Sequence, residues 1–171
     1  KVVVAFRDTG DSNKGKAVVG TVDSSDNSIS FGSAVQFEAG NTQHISMSFD
    51  SSANKVVIAY RDTSDSGFGR AIVGTVSGTS ISFGSANAFN GSTTTHISIA
   101  YDVANNKHVV GYVATSGLAK VATVTGTSIT FGSSAEFESG TTILTRAVYD
   151  PNIERVHIFY ADGGDNDKGK A

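Results

Sequence analysis

A motif that returns at a near-constant interval constrains this chain more than any other feature, because repeats dictate architecture before single residues do. Ala5-Phe6-Arg7-Asp8-Thr9 returns as Ala59-Tyr60-Arg61-Asp62-Thr63, a shift of 54 residues. Ser28-Ile29-Ser30-Phe31-Gly32-Ser33 returns at Ser80–Ser85 and again, with one Ser-to-Thr change, at Ser128–Ser133, shifts of 52 and 48. Phe37, Phe89 and Phe137 keep the same spacing, His44-Ile45-Ser46 returns as His96-Ile97-Ser98, and Asp50, Asp102 and Asp150 close one strand candidate in three copies.

The unequal intervals have local causes. The turn Asp23–Asn27 is longer than Ser77–Thr79, and the stretch Val113–Gly117 is shorter than Arg61–Gly69. Length changes confined to turns leave a scaffold intact. Ala17 and Ala171 share a phase three repeats apart, so the 171 residues read as three repeats with a 17-residue overlap. The expectation is a portion of a longer repeat array.

Each repeat carries four strand candidates rich in Val, Ile, Tyr, Phe and Thr and bounded by Gly, Asn, Asp and Ser, as in Lys55–Arg61, Arg70–Val76 and Ile81–Ser85. No helical period persists. In Val56–Tyr60 one face carries Val56, Ile58 and Tyr60 and the other Val57 and Ala59, so both faces need cover. In His44–Phe49, Ile45, Met47 and Phe49 share a face, while His44, Ser46 and Ser48 share a smaller, polar one. An all-β fold of four-stranded antiparallel repeats of about 50 residues, each covered by its neighbours, predicts β-propeller blades. Their expected bounds are a partial blade at 1–40, blades at 41–92 and 93–140, and a partial blade at 141–171. Three and a half such units do not close a ring of about 4–8 blades. A β-solenoid or a stacked sandwich array is the alternative.

Chemistry-bearing motifs are sparse. With no Cys, thiol nucleophiles, disulfides and Cys-ligated zinc are excluded. The net charge of −3 with scattered Lys argues against a phosphate-tracking surface, so no nucleic-acid partner is expected. No apolar run has the roughly 20 residues of a membrane-spanning helix, and no basic segment leads an apolar one as in a signal peptide. Phosphate loops and nucleophile elbows are absent, and no cofactor is called for.

The recurring polar loop is the strongest candidate. It pairs Asp8 with Asp11, Asp62 with Asp65 and Asp162 with Asp165, following Arg7 and Arg61 in the first two copies. Carboxylates at i and i+3 suit a hard cation, but the Gly/Ser setting favours a turn in which Asp accepts local N–H bonds, so no metal is assigned. Arg7 and Arg61 suit an anionic ligand or, more simply, a neighbouring carboxylate. Sialic-acid-cleaving propellers use an arginine cluster, whereas the matching positions here read as Ala114 and Ala161. His44 and His96, equivalent by repeat, read as hydrogen-bonding strand residues. Phe31, Phe83 and Phe131 read as core anchors.

The units Lys55–Asp62, Ala71–Thr79 and Ser80–Ser85 resemble repeats of long virion structural proteins of marine tailed phages, cyanophages among them. The resemblance spans essentially the whole chain and implies a virion-surface or tail-fibre component, in the virion or extracellular. The expected function is therefore non-enzymatic: a structural or host-attachment module whose loops present Arg7, Asp8, Asp11, Arg61, Asp62, Asp65, Asp162 and Asp165 to a host-surface glycan or protein. Its other expected partners are virion proteins or further copies of the repeat. A sialidase-like enzyme fragment and a self-assembling fibre subunit are the alternatives.

Overall fold

The computed structural model describes residues 1–171 and is all-β, with fifteen strands, no α-helix and one 3-10 turn at Gly163–Asp165. Every strand pairing is antiparallel. The strands are β1 (Val2–Asp8), β2 (Lys14–Asp23), β3 (Ser28–Phe31), β4 (Val35–Asp50), β5 (Lys55–Asp62), β6 (Phe68–Ser77), β7 (Ser80–Phe83), β8 (Asn87–Asn90), β9 (Thr95–Asp102), β10 (Lys107–Val113), β11 (Gly117–Thr125), β12 (Ser128–Glu138), β13 (Thr142–Asp150), β14 (Arg155–Asp162) and β15 (Lys168–Lys170).

These form an eight-stranded sheet ordered β1-β2-β4-β5-β6-β7 with β3 on β2 and β8 on β6, a four-stranded sheet ordered β12-β11-β10-β9, and a three-stranded sheet ordered β13-β14-β15. The first is larger than a four-stranded unit because β4 runs unbroken for 16 residues. Its Val35–Asn41 part pairs with β2 and its Thr42–Asp50 part with β5.

Pairing registers follow the repeat. Asp50 faces Lys55, Asp102 faces Lys107 and Asp150 faces Arg155. Each pairing then slips near its other end, between Gln43 and Ser46 in β4, opposite Gly111–Val113 in β10, and between Ile143 and Arg146 in β13. At the slip His44, His96 and Leu144 take left-handed φ of 48°, 48° and 56°. Such bulges bend a strand and raise its twist. One reading from the sequence needs correction. Arg61 faces Gly69, and Val113 faces Gly117, so Val113, not Ala114, occupies the place of Arg61.

The alternating faces expected of β5 are realised as two separate cores. Val56, Ile58 and Tyr60 enter one with Ala17, Val19, Phe37, Ile72 and Ile81, onto which Val3, Ile45 and Met47 pack. Val57 and Ala59 enter the other with Val73, Phe89, Ile97, Ile99, Val110, Tyr112 and Ile129. One strand therefore feeds two hydrophobic layers, each such burial stabilising by about 1.5–3 kcal/mol per large side chain. Phe37 meets Phe83 edge-on at 5.8 Å and Phe89 meets Phe131 at 5.7 Å, across the layers. Phe31, expected as a core anchor like Phe83 and Phe131, is 53% exposed because no sheet lies against it.

Glycine is required where these layers touch. A Cβ on Gly32 would lie 2.2 Å from the Thr79 carbonyl oxygen, and one on Gly84 would lie 2.0 Å from that of Thr127. Thr79 and Thr127 follow Gly78 and Gly126, whose φ of 60° and 62° make the tight turns that aim those carbonyls.

Candidate functional site

The three Asp-bearing loops form a recurring clip. Asp8 accepts a hydrogen bond from Gly10 N at 3.0 Å, Asp62 from Ser64 N at 3.0 Å and Asp65 N at 3.2 Å, and Asp162 from Gly164 N at 2.8 Å. These are the expected Asx turns. Each pair of carboxylates is then bridged by one cation from the following strand. Lys16 Nζ lies 2.8 Å from both Asp8 and Asp11, Arg70 bridges Asp62 and Asp65, and Lys170 bridges Asp162 and Asp165. Hydrogen bonding to Lys16 holds the Asp8 and Asp11 carboxyls below the ordinary range, as Lys170 does for Asp162. The carboxylates are committed internally, and no group of three or more His, Cys, Asp or Glu side chains is placed to hold a metal ion.

Lys16 and Arg70 close the polar loops Asp8–Lys16 and Asp62–Arg70, and Lys170 shares their phase, but their pairing with both carboxylates is set by cross-strand proximity. Arg7 and Arg61, expected to neutralise nearby carboxylates, make no ion pair. Arg7 is exposed and lines an open concavity of about 380 Å³ with Thr42, Gln43, His44 and Ile45. Arg61 lies over Gly67, whose Cβ would come within 2.8 Å of its Nε, and that Nε is buried without a hydrogen-bond partner.

The loops are braced against the segments at Asn41–Thr42, Thr94 and Thr141. Thr42 N donates to Asn13 O at 3.0 Å and Thr94 N to Gly67 O at 3.0 Å. Thr63 N donates to Asn41 O at 2.9 Å, Asn41 N donates to the Ser64 hydroxyl at 2.9 Å, and Gly163 N donates to Thr141 O at 2.8 Å. Beneath them Tyr60 and Tyr160 donate to Glu38 and Glu138 at 2.9 and 3.2 Å, and each Glu accepts from a backbone N–H two residues on. The Glu–Tyr pairs escaped notice in the sequence because the partners stand 22 residues apart.

The histidines behave as structural residues. His44 Nδ1 accepts from His96 N at 3.4 Å, and His96 Nδ1 accepts from Leu144 N at 3.3 Å, so β4 caps the bulge of β9 and β9 that of β13. The acceptor role needs a neutral ring. Burial lowers both pKa values, helped by His96 and Arg61 at His44 and by Arg146 at His96.

A third imidazole, His108, is fully buried between sheets. Its Nδ1 hydrogen-bonds the Ser48 hydroxyl at 2.9 Å, and its Nε2 stands 3.4 Å from Asp50 without an aligned hydrogen bond. Ser, His and Asp in that order resemble a nucleophile relay. Here, however, the ring has no accessible surface, lies tilted against Tyr101 with ring centroids 5.0 Å apart, and joins β10 to the Thr42–Asp50 part of β4. It is a polar seam between sheets.

Compared with protein-family models, curated proteins and solved structures, the chain matches none.

Proposed function

We propose that the chain is a non-enzymatic structural or host-attachment module of a tailed phage, built of β-propeller-type blades that present a rigid loop rim. The propeller reading is supported by β4, β9 and β13, which supply equivalent innermost strands cross-capped in series, and by sheets that pack face to face through both sides of β5. The virion assignment rests on the resemblance of the repeats.

One observation carries the attachment reading: Arg7 stands exposed and unpaired in a concavity with Gln43 and His44. Unlike the Asp residues, whose charges are already matched, its guanidinium has five free donors for a carboxylate or sugar hydroxyls. The surrounding loops are held by backbone hydrogen bonds, which limits the ordering cost of binding. The loop carboxylates thus shape the rim, while Arg7, Gln43 and His44 make the contact.

A glycan array containing neutral and acidic oligosaccharides tests this. Wild type is expected to bind an acidic subset, and Arg7→Ala or Gln43→Ala to weaken it at least tenfold with an unchanged circular dichroism spectrum. Equal binding by wild type and Arg7→Ala, or no binding at all, would sink the attachment role and favour a scaffold.

A further inference from the structure

The junctions between successive repeats share their apolar contacts. Phe37 meets Tyr60 with ring centroids 5.2 Å apart, Phe89 meets Tyr112 at 5.1 Å, and Phe137 meets Tyr160 at 5.1 Å. Beside the first two of these pairs, Ala17 and Val19 enter one core and their repeat equivalents Ala71 and Val73 the other. Gly32 closes on Thr79 as Gly84 closes on Thr127. Apolar burial is non-directional. Faces this alike give a sheet little means of telling its own neighbour from another copy of the repeat.

The middle junction, where β4–β8 meet β9–β12, differs at two places. At the first, Ser48 Oγ lies 2.9 Å from His108 Nδ1, and the His108 side chain is buried. The repeat equivalents of this pair, one junction further along the chain, are Ala100 and Val156. Both members change together, a hydroxyl with an imidazole in one pair and a methyl with an isopropyl group in the other. At the second place Asn87 Nδ2 donates to the Ile129 carbonyl oxygen at 2.7 Å. One junction earlier the same positions hold Val35 and Ile81, with Ile81 buried in the core and Val35 packed against it. Neither polar contact survives a wrong pairing. His108 set against Ala100 would bury a ring nitrogen without a partner, and Ser48 set against Val156 would leave its hydroxyl unpaired. A buried polar group left unpaired costs more than the hydrogen bond contributes when it is made.

We infer that the Ser48–His108 and Asn87–Ile129 contacts form a docking key, which selects the β9–β12 sheet as the neighbour of β4–β8 and rejects other copies of the repeat, in this chain or in a second one. The key acts by penalising the alternatives, and partner choice of this kind is compatible with no net gain in stability from the pair itself. Its two contacts lie in different sheets' faces at separate points of the junction, so a sheet that matches one and misses the other is still rejected. This inference does not depend on what the rim binds.

The test compares the whole 171-residue chain with three variants at pH 8: Ser48→Ala, Ser48→Ala/His108→Val, and that double variant with Asn87→Val added. The double variant places at the middle junction the residues of the next one. Ser48→Ala alone should lower the urea midpoint, because the buried Nδ1 loses its partner. Adding His108→Val should return the midpoint to the wild-type value or above it. After refolding from urea at high protein concentration, wild type should return as a monomer with one amide resonance per residue. The triple variant should return with at least a fivefold larger share of domain-swapped dimer, the characteristic misassembly of repeat chains, and with doubled resonances in β9–β12. A double variant no more stable than Ser48→Ala overturns the proposal, since the pair would then hold the sheets together rather than choose between them. So does a triple variant that refolds to a monomer with a single set of resonances, as wild type does.

Discussion

Among single residues, His108 couples the fold most directly to pH. Burial pushes its pKa below the ordinary 6.5, only partly opposed by Asp50, and burial lowers His44 and His96 as well. In the unfolded chain all three take up protons near pH 6.5, while in the folded chain they resist until the pH is lower. Stability is therefore complete above about pH 6.5 and declines as the pH falls below it. The carboxyls of Asp8, Asp11 and Asp162 are likewise lowered, by hydrogen bonding to Lys16 and Lys170, and their contribution persists until the pH falls below about 3.8, a separate window. Urea unfolding at pH 8, 6.5 and 5.5 should show a falling midpoint. His108→Val, which places there the residue found at Val56 and Val156, should flatten that fall. An equal fall in both proteins would assign the acid sensitivity elsewhere. Nothing in the sequence joins His108 to its partners, which lie 58 and 60 residues earlier on a different strand. His44 and His96 were legible as hydrogen-bonding strand residues because they share a phase and the alternation of their strand puts them on its polar face.

For the elements, the contact of a strand end with the next turn is decisive. Gly84→Ala would place a methyl 2.0 Å from the Thr127 carbonyl oxygen, a backbone atom that cannot rotate away. It should cost about 1–3 kcal/mol or more through forced displacement of one sheet. Gly132→Ala, in the same motif, meets nothing closer than the Val121 carbonyl oxygen at 3.7 Å and should change stability by less than about 0.5 kcal/mol. Thermal unfolding of the two variants checks this, and equal losses would show that the glycine serves its own strand. Strands β5, β6 and β7 lay within a few residues of their sequence-based bounds, because β-branched and aromatic runs end at Gly, Asn and Asp. The short β8 and the unbroken course of β4 were not legible. A strand that changes partner part-way is set by pairing across the sheet, which Asn41 and Thr42 do not announce.

Across the whole molecule, neighbours determine stability. In repeat folds it is approximately a sum of unit terms and nearest-neighbour interfaces. β5 and β10 lie in sheets whose side chains enter the cores, whereas β13–β15 is a three-stranded sheet whose Leu144, Val148 and Phe159 are exposed. Hydrogen exchange should release β13–β15 amides well before those of β5 and β10. Matching rates would show instead a single cooperative unit. The all-β class and both faces of β5 could be read from the repeat and its alternation. The candidate site could be read only in outline. Its loops were visible, but the side chains that cancel the Asp charges, and so leave Arg7 as the free group, are fixed by cross-strand proximity.

The meeting of Gly32 with the Thr79 carbonyl, and of Gly84 with that of Thr127, has a consequence for how such a chain lengthens. Each junction is completed by half a lock from one unit and half from the next, and no unit carries both halves for itself. Duplication or loss of a whole unit regenerates every lock, whatever the number of units. A gain or loss of a fraction of a unit sets a side chain against a carbonyl and jams the junction. The molecule thus carries a rule for counting in whole steps, written at a glycine where a single added carbon atom meets the backbone of the next unit.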